Sequence, residues 1–292
     1  MKKKLFLGYA CIILSAVIFG LNPLLVKSIQ NEGVNSISLV LLRNMLSIPV
    51  LAVLAFGQRR TLRVPPKALG AIALTGITGC CITPILLFSS YAYIASGTAT
   101  VFHFVYPAVV VLGGVVFLRE KISRGNLLSV LICVAGICLF YQPGQPLNVA
   151  GSVLALVSGV AYAVYILQLS HFKFKEVDGF LFSLYVSITS CAVMLAVCLL
   201  TGMLTLPASP LGWLYCFGFS LLINVGAVVM FQQGTFYIGG AKAAILSTLE
   251  PITSLFVGMV VFHETIGAQT AVGSALVILA SILIARADMK RE

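Results

Sequence analysis

Ten stretches of this chain are apolar over about the length a helix needs to cross a bilayer, and little sequence is left between them. They run over 5–26, 36–56, 68–94, 97–118, 126–141, 149–169, 180–202, 211–238, 241–262 and 267–286. A helix of about 20 residues spans roughly 30 Å of hydrocarbon. Lipid offers no backbone partners, so a spanning segment is either a helix or part of a closed barrel. Barrel strands alternate apolar and polar residues, and runs such as VVVLGGVVFL (109–118) do not. Only 9% of the residues are charged and the mean hydropathy is +1.09, against about 25% charged residues in a soluble domain. Such a chain has too little polar surface to cover a water-exposed fold. The expected fold class is an all-α membrane protein with ten transmembrane helices.

The start, MKKKLFLGYACIILSAVIFG, has the basic head and apolar core of a signal peptide but no A-x-A cleavage site after it. It reads as a retained first helix. With the N-terminus in the cytoplasm and ten alternating spans, 16 of the 18 Lys and Arg residues fall on the cytoplasmic side. The exceptions are Lys27, in an external loop, and Arg43, inside the second span. That asymmetry follows the positive-inside rule. It places both termini in the cytoplasm of a multi-pass protein of the inner or plasma membrane. It also explains the net charge of +10 without a nucleic-acid partner. All eight cysteines lie inside spans with no C-x-x-C spacing, so they read as small buried hydrophobes, not as disulfide or metal ligands.

The chain repeats itself. Shifted by 144 residues, YIASGTATVFHFVYPAVVVLGGVVFLREKI (93–122) lies on YIGGAKAAILSTLEPITSLFVGMVVFHETI (237–266). Tyr93 meets Tyr237, Pro107 meets Pro251, Gly114 meets Gly258, and Glu120 meets Glu264. A weaker echo pairs Gly8 and Ser15 with Gly151 and Ser158. The reading is two five-helix repeats, over 1–141 and 149–286. Five is odd, so the second repeat is inverted relative to the first. Inverted repeats are common in secondary transporters, with the solute site at mid-membrane between the halves.

This layout, the P-x12-E spacing of Pro107 with Glu120 and Pro251 with Glu264, and the Arg43–Asn44 pair inside the second span resemble the EamA family of the drug/metabolite transporter superfamily. The resemblance implies a central cavity lined by helices 1–4 and 6–9, with helices 5 and 10 peripheral. It implies a carrier of small metabolites, amino acids first among them, usually working outward by alternating access. An amino-acid solute rests on this resemblance alone.

Polar residues inside spans are the candidate site. A charge at the bilayer centre costs about 2.5–3.5 kcal/mol on insertion scales, so it tends to face a cavity or a partner. Glu250, beside Pro251 in the ninth span, and Arg43 in the second are the two clear cases, at similar depths. Three arrangements fit them: a salt bridge between the halves, a solute or proton pathway, or an Arg43 that snorkels to the interface. Proton coupling through Glu250 and facilitated diffusion both stay open; no other cofactor is expected. His103 lies one turn before Pro107 and is either a solute ligand or a structural histidine bonded to backbone. Tyr106 stands where the other repeat has Glu250, which breaks the symmetry. Asn22, Tyr162, Tyr165, Asn224, Gln232 and Gln233 are further candidates, with helix–helix hydrogen bonding as the alternative for each. Pro84, Pro107 and Pro251 each remove a backbone donor and are expected kinks or hinges. Glu120 and Glu264 read as helix-end residues.

No Walker lysine motif, H-E-x-x-H or G-x-S-x-G is present, so neither an ATP-driven pump nor an enzyme is expected. A channel-like facilitative permease is the main rival, and a membrane-embedded enzyme acting on lipid is the other. The expected partners are a small-molecule solute and the bilayer. Small residues in the tenth span (GAQTAVGSALVILAS) also suit close contact with a second copy, giving a homodimer.

Overall fold

The structure, a computed structural model, describes residues 2–57, 64, 66–118, 124–139, 148–172, 178–247, 249–263 and 267–289. Among them it contains helices and no strands. Seven helical stretches are long and apolar enough to cross a membrane: Leu5–Asn31, Ser36–Gly57, Ala68–Ser90, Ser96–Val116, Val149–Leu169, Gly179–Thr201 and Pro210–Ile238. Three shorter apolar helices stand at Leu127–Gly136, Leu249–Phe262 and Ala271–Ala280. Their positions are those of the fifth, ninth and tenth expected spans. Glu120 and Glu264 lie outside the described residues.

The long stretches are not uniform rods. The first span is α1 (Lys2–Gly20) and α2 (Asn22–Asn31), with Pro23 in the first turn of α2. The second is the single helix α3 (Ser36–Gly57), which accommodates Pro49 without a break. The third is α4 (Pro66–Gly76), a π-helical turn at Ile77–Ile82, and α5 (Thr83–Ser90). Pro84 has no N–H for the α-helical ladder, and the Thr83 hydroxyl donates five residues back to the Thr78 carbonyl at 2.8 Å. The eighth span is α11 (Pro210–Phe219), a second π segment at Ser220–Val228, and α12 (Val229–Ile238). Shifted by 144 residues, 77–82 becomes 221–226, inside that second π segment. The two repeats thus share a π segment that only the first marks with a proline.

The fourth and ninth spans are broken at matching places. The fourth is α6 (Ser96–His103) and α7 (Tyr106–Leu118). The ninth is α13 (Gly240–Leu246) and α14 (Leu249–Phe262). Pro107 and Pro251 each fall in the first turn of the second half, where a missing N–H costs nothing. The expected kinks at these prolines are therefore full interruptions. The breaks sit beside each other: α6 packs on α14, and Ser254 Oγ donates to Thr100 Oγ1 at 2.9 Å.

Each repeat leans its first helix on the broken helix of the other. In α1, Gly20 lets the backbone of α14 approach; a Cβ there would strike Thr253 and the Glu250 carbonyl. In α9 (Val149–His171), Gly159 does the same for the His103 carbonyl. The remaining helices are α8 (Arg124–Cys138), α10 (Gly179–Thr201) and α15 (Ala268–Met289). The second span packs on the seventh, α3 against α10, and the fifth on the tenth, α8 against α15. Side chains facing outward form an apolar belt that includes Val116, Leu131, Leu199, Leu214 and Phe256, as lipid contact requires. All eight cysteines are free.

The α8–α15 contact occupies part of the small-residue face of the tenth span. A Cβ on Gly136 would stand 2.8 Å from the Gly273 carbonyl and 3.0 Å from Leu276 and Val277. Gly136→Leu is therefore expected to force α8 away from α15 and lower stability by about 1–3 kcal/mol, the usual cost of overpacking. Thermal unfolding of the purified protein in detergent checks this.

Candidate functional site

A cavity with about 510 Å3 of atom-free space opens between the two repeats. Its wall takes residues from the first, second, third, fourth, sixth, eighth and ninth spans. The seventh span contributes none, although the resemblance implied that it would.

Six of the ten polar candidates line it: Asn22, Arg43, His103, Tyr162, Tyr165 and Glu250. So does Pro84. Tyr106, Asn224, Gln232 and Gln233 do not; the first three each stand behind a lining residue, and Gln233 lies against Gly179. Tyr106 packs its ring on His103 and Tyr162, with centroids 5.6 and 4.8 Å away. Gln232 donates from Nε2 to the Tyr165 hydroxyl at 3.1 Å and accepts from Ser183. Pro107 and Pro251 shape the helix breaks without reaching the wall. The reading of residues missed the apolar part: Phe19, Phe88 and Phe231 line the cavity along with Cys80 and Thr83.

Arg43 is 4% exposed and is held by its backbone as well as its side chain. The Ser220 hydroxyl and the Asn224 amide donate to the Arg43 carbonyl at 2.6 and 3.1 Å. The Asn224 amide also reaches Asn44 Oδ1 at 3.0 Å and Ser47 Oγ at 3.3 Å. On the side-chain end, Arg43 Nη2 donates to the Cys80 carbonyl at 3.4 Å. Asn44 Nδ2 donates to the same oxygen at 3.4 Å. Cys80 is four residues before Pro84, the residue that has no N–H to return. The guanidinium also lies 5.9 Å from the Phe88 ring centroid, within cation–π range. Arg43 Nε has no hydrogen-bond partner among the described residues.

Glu250 is 5% exposed and lies in the first turn of α14, where the helix dipole favours negative charge. No ion pair joins it to Arg43 among the described residues. The salt bridge between the halves is thus not formed in this conformation, and Arg43 does not snorkel out. Asn22 Oδ1 is a second buried polar atom without a hydrogen-bond partner among the described residues. His103, at the C-terminal end of α6, bonds Ser158 through Nδ1 at 2.8 Å. Tyr162 packs between His103 and Tyr165, with centroids 5.3 and 5.6 Å away, and Phe231 is also 5.6 Å from it. The cavity therefore combines aromatic walls with Arg43 and Glu250, which form no ion pair with each other among the described residues.

A sequence profile of the EamA-like transporter family matches the chain twice, over residues 6–142 and 149–286. An uncharacterized transporter of Archaeoglobus fulgidus is 28% identical over 278 residues, which cover 95% of this chain and 96% of its own. An uncharacterized transporter of Clostridium kluyveri is 19% identical over 292 residues, covering 94% and 92%. A protein of known crystal structure, 16% identical, superposes with a TM-score of 0.70 over 100% of this chain and 99% of its own. That last likeness establishes the fold alone. The duplicated family match and the run of apolar helices make this a multi-pass membrane protein, and the chain belongs to the EamA-like transporter family.

Proposed function

We propose that the chain is a secondary transporter that exports small polar or amphipathic metabolites, zwitterionic amino acids first among them. The observation that carries this reading is the cavity lined by both Arg43 and Glu250 with no ion pair between them among the described residues. A buried charge without an opposite charge beside it is costly, and a solute with a carboxylate at one end and an ammonium at the other would match both. Phe19, Phe88, Phe231 and Tyr162 would enclose its apolar part.

In this reading the three shorter apolar helices complete ten crossings, arranged as inverted repeats over 1–141 and 149–286. Lys and Arg on one side favour cytoplasmic termini in an inner or plasma membrane. The paired interruptions of the fourth and ninth spans supply the places where alternating access bends. Coupling to protons through Glu250 belongs to the same proposal, and so does a homodimer.

The test is efflux from cells preloaded with labelled amino acids and other metabolites. The medium is compared by mass spectrometry for wild type, Glu250→Gln and empty vector. The expected result is a solute released by wild type and retained by the variant. Release that does not change between wild type and empty vector, with the protein present in the membrane, contradicts export of any solute in the panel.

A further inference from the structure

We propose that Ser158 holds His103 with its proton on Nδ1, so that the Nε2 lone pair serves the cavity as an acceptor selecting solutes that carry an N–H or O–H donor. The solute half of this rests on the transporter reading; the tautomer does not. Ser158 Oγ has one proton and two short contacts. It lies 2.6 Å from the Ala155 carbonyl oxygen and 2.8 Å from His103 Nδ1. A carbonyl only accepts, and two oxygens 2.6 Å apart repel unless a proton lies between them. The Ser158 proton is therefore engaged by Ala155. His103 Nδ1 must then be the donor, and a neutral imidazole protonated there has a bare Nε2.

The surroundings hold this arrangement in place. His103 is 2% exposed and on the cavity wall. Among the described residues, Ser158 is its only side-chain hydrogen-bond partner, so Nε2 has none. Tyr106 and Tyr162 pack against the ring, and Gly159 fits under its carbonyl. Two acceptors, His103 Nε2 and the Glu250 carboxylate, then belong to the fourth and ninth spans, while the unpartnered donor, Arg43 Nε, belongs to the second. A solute would lie with its donor end toward the two helix breaks. Ser158 is in this sense a positioning residue and His103 a specificity-determining one.

The tautomer is read directly by 15N NMR of the full chain in lipid nanodiscs, labelled on histidine. Replacing the exposed His171 and His263 by Asn leaves one imidazole, since the chain has three histidines. The expected spectrum shows Nδ1 protonated and Nε2 bare, and Ser158→Ala removes that preference. A wild-type imidazole protonated on Nε2, or a spectrum indifferent to Ser158→Ala, overturns the proposal.

The solute half is read by counterflow of labelled leucine into proteoliposomes, competed by leucine or by its N-trimethyl betaine, which has no N–H. Wild type and His103→Gln, whose amide oxygen can replace Nε2, are expected to prefer leucine by about tenfold, the scale of one hydrogen bond. His103→Leu, of similar bulk, is expected to lose that preference. Equal discrimination by the Gln and Leu variants overturns acceptor-based selection. Absent leucine counterflow with the Nδ1 tautomer in place supports the tautomer and contradicts the solute reading instead.

Discussion

Arg43→Met is expected to cut transport by roughly 10- to 150-fold while leaving the protein at least as stable as wild type. The side chain holds a buried charge with one long bond to the Cys80 carbonyl, a ring 5.9 Å away and an Nε without a partner. Exchanging such a group for an apolar one of similar length removes a desolvation penalty. The contacts that fasten α3 to the eighth span use the Arg43 carbonyl, which the substitution leaves in place. The solute loses a charge-assisted bond of about 1.5–3 kcal/mol, a loss of roughly 10- to 150-fold. Arg43→Lys is expected to recover only part of it, because an ammonium has no Nε and no planar fork. Transport and thermal unfolding, measured on the same preparations, check both halves. A variant that transports normally but melts early would make Arg43 structural.

Asn224→Leu is expected to behave in the opposite way, losing stability first. One amide serves the Arg43 carbonyl, Asn44 Oδ1 and Ser47 Oγ, all buried between the second and eighth spans. Leucine leaves those acceptors without that donor. Each unsatisfied buried group costs about 1–3 kcal/mol, reduced where a partner remains, as Ser220 does for the Arg43 carbonyl. A net loss of about 2–4 kcal/mol is expected. Asn224→Asp should be worse, since it turns the shared donor into a fourth acceptor. Unfolding in detergent reads the loss, and any transport defect should scale with it. A Leu variant as stable as wild type would remove the network from the account of how Arg43 is held.

The contrast between these two residues explains what the sequence made legible. Span positions follow from apolar length alone, and the breaks after His103 and after Leu246 are marked by Pro107 and Pro251. Pro84 likewise marks the π segment at 77–82. The partner segment at 220–228 has no proline, so nothing in its residues distinguishes it from ordinary helix. Arg43, Asn224 and Gln232 all read as polar groups inside spans. Residue type does not say which way a helix turns its face, so the lining Arg43 could not be told from the supporting Asn224 and Gln232. Phe19, Phe88 and Phe231 were hidden for a related reason: 18 phenylalanines occur in the chain, and lipid and cavity walls both accept them. Cys80 contributes a carbonyl, which every residue has.

The central claim is that Arg43 and Glu250 face a solute inside a carrier. Solute exchange by the purified protein in proteoliposomes tests it most directly. Labelled amino acids are offered outside, and the vesicles are either empty or loaded with the same unlabelled solute. The account predicts saturable uptake that is accelerated by internal solute and largely lost in both Arg43→Met and Glu250→Gln. Flux that rises linearly with concentration and ignores the internal solute, or exchange that survives both substitutions, would contradict it.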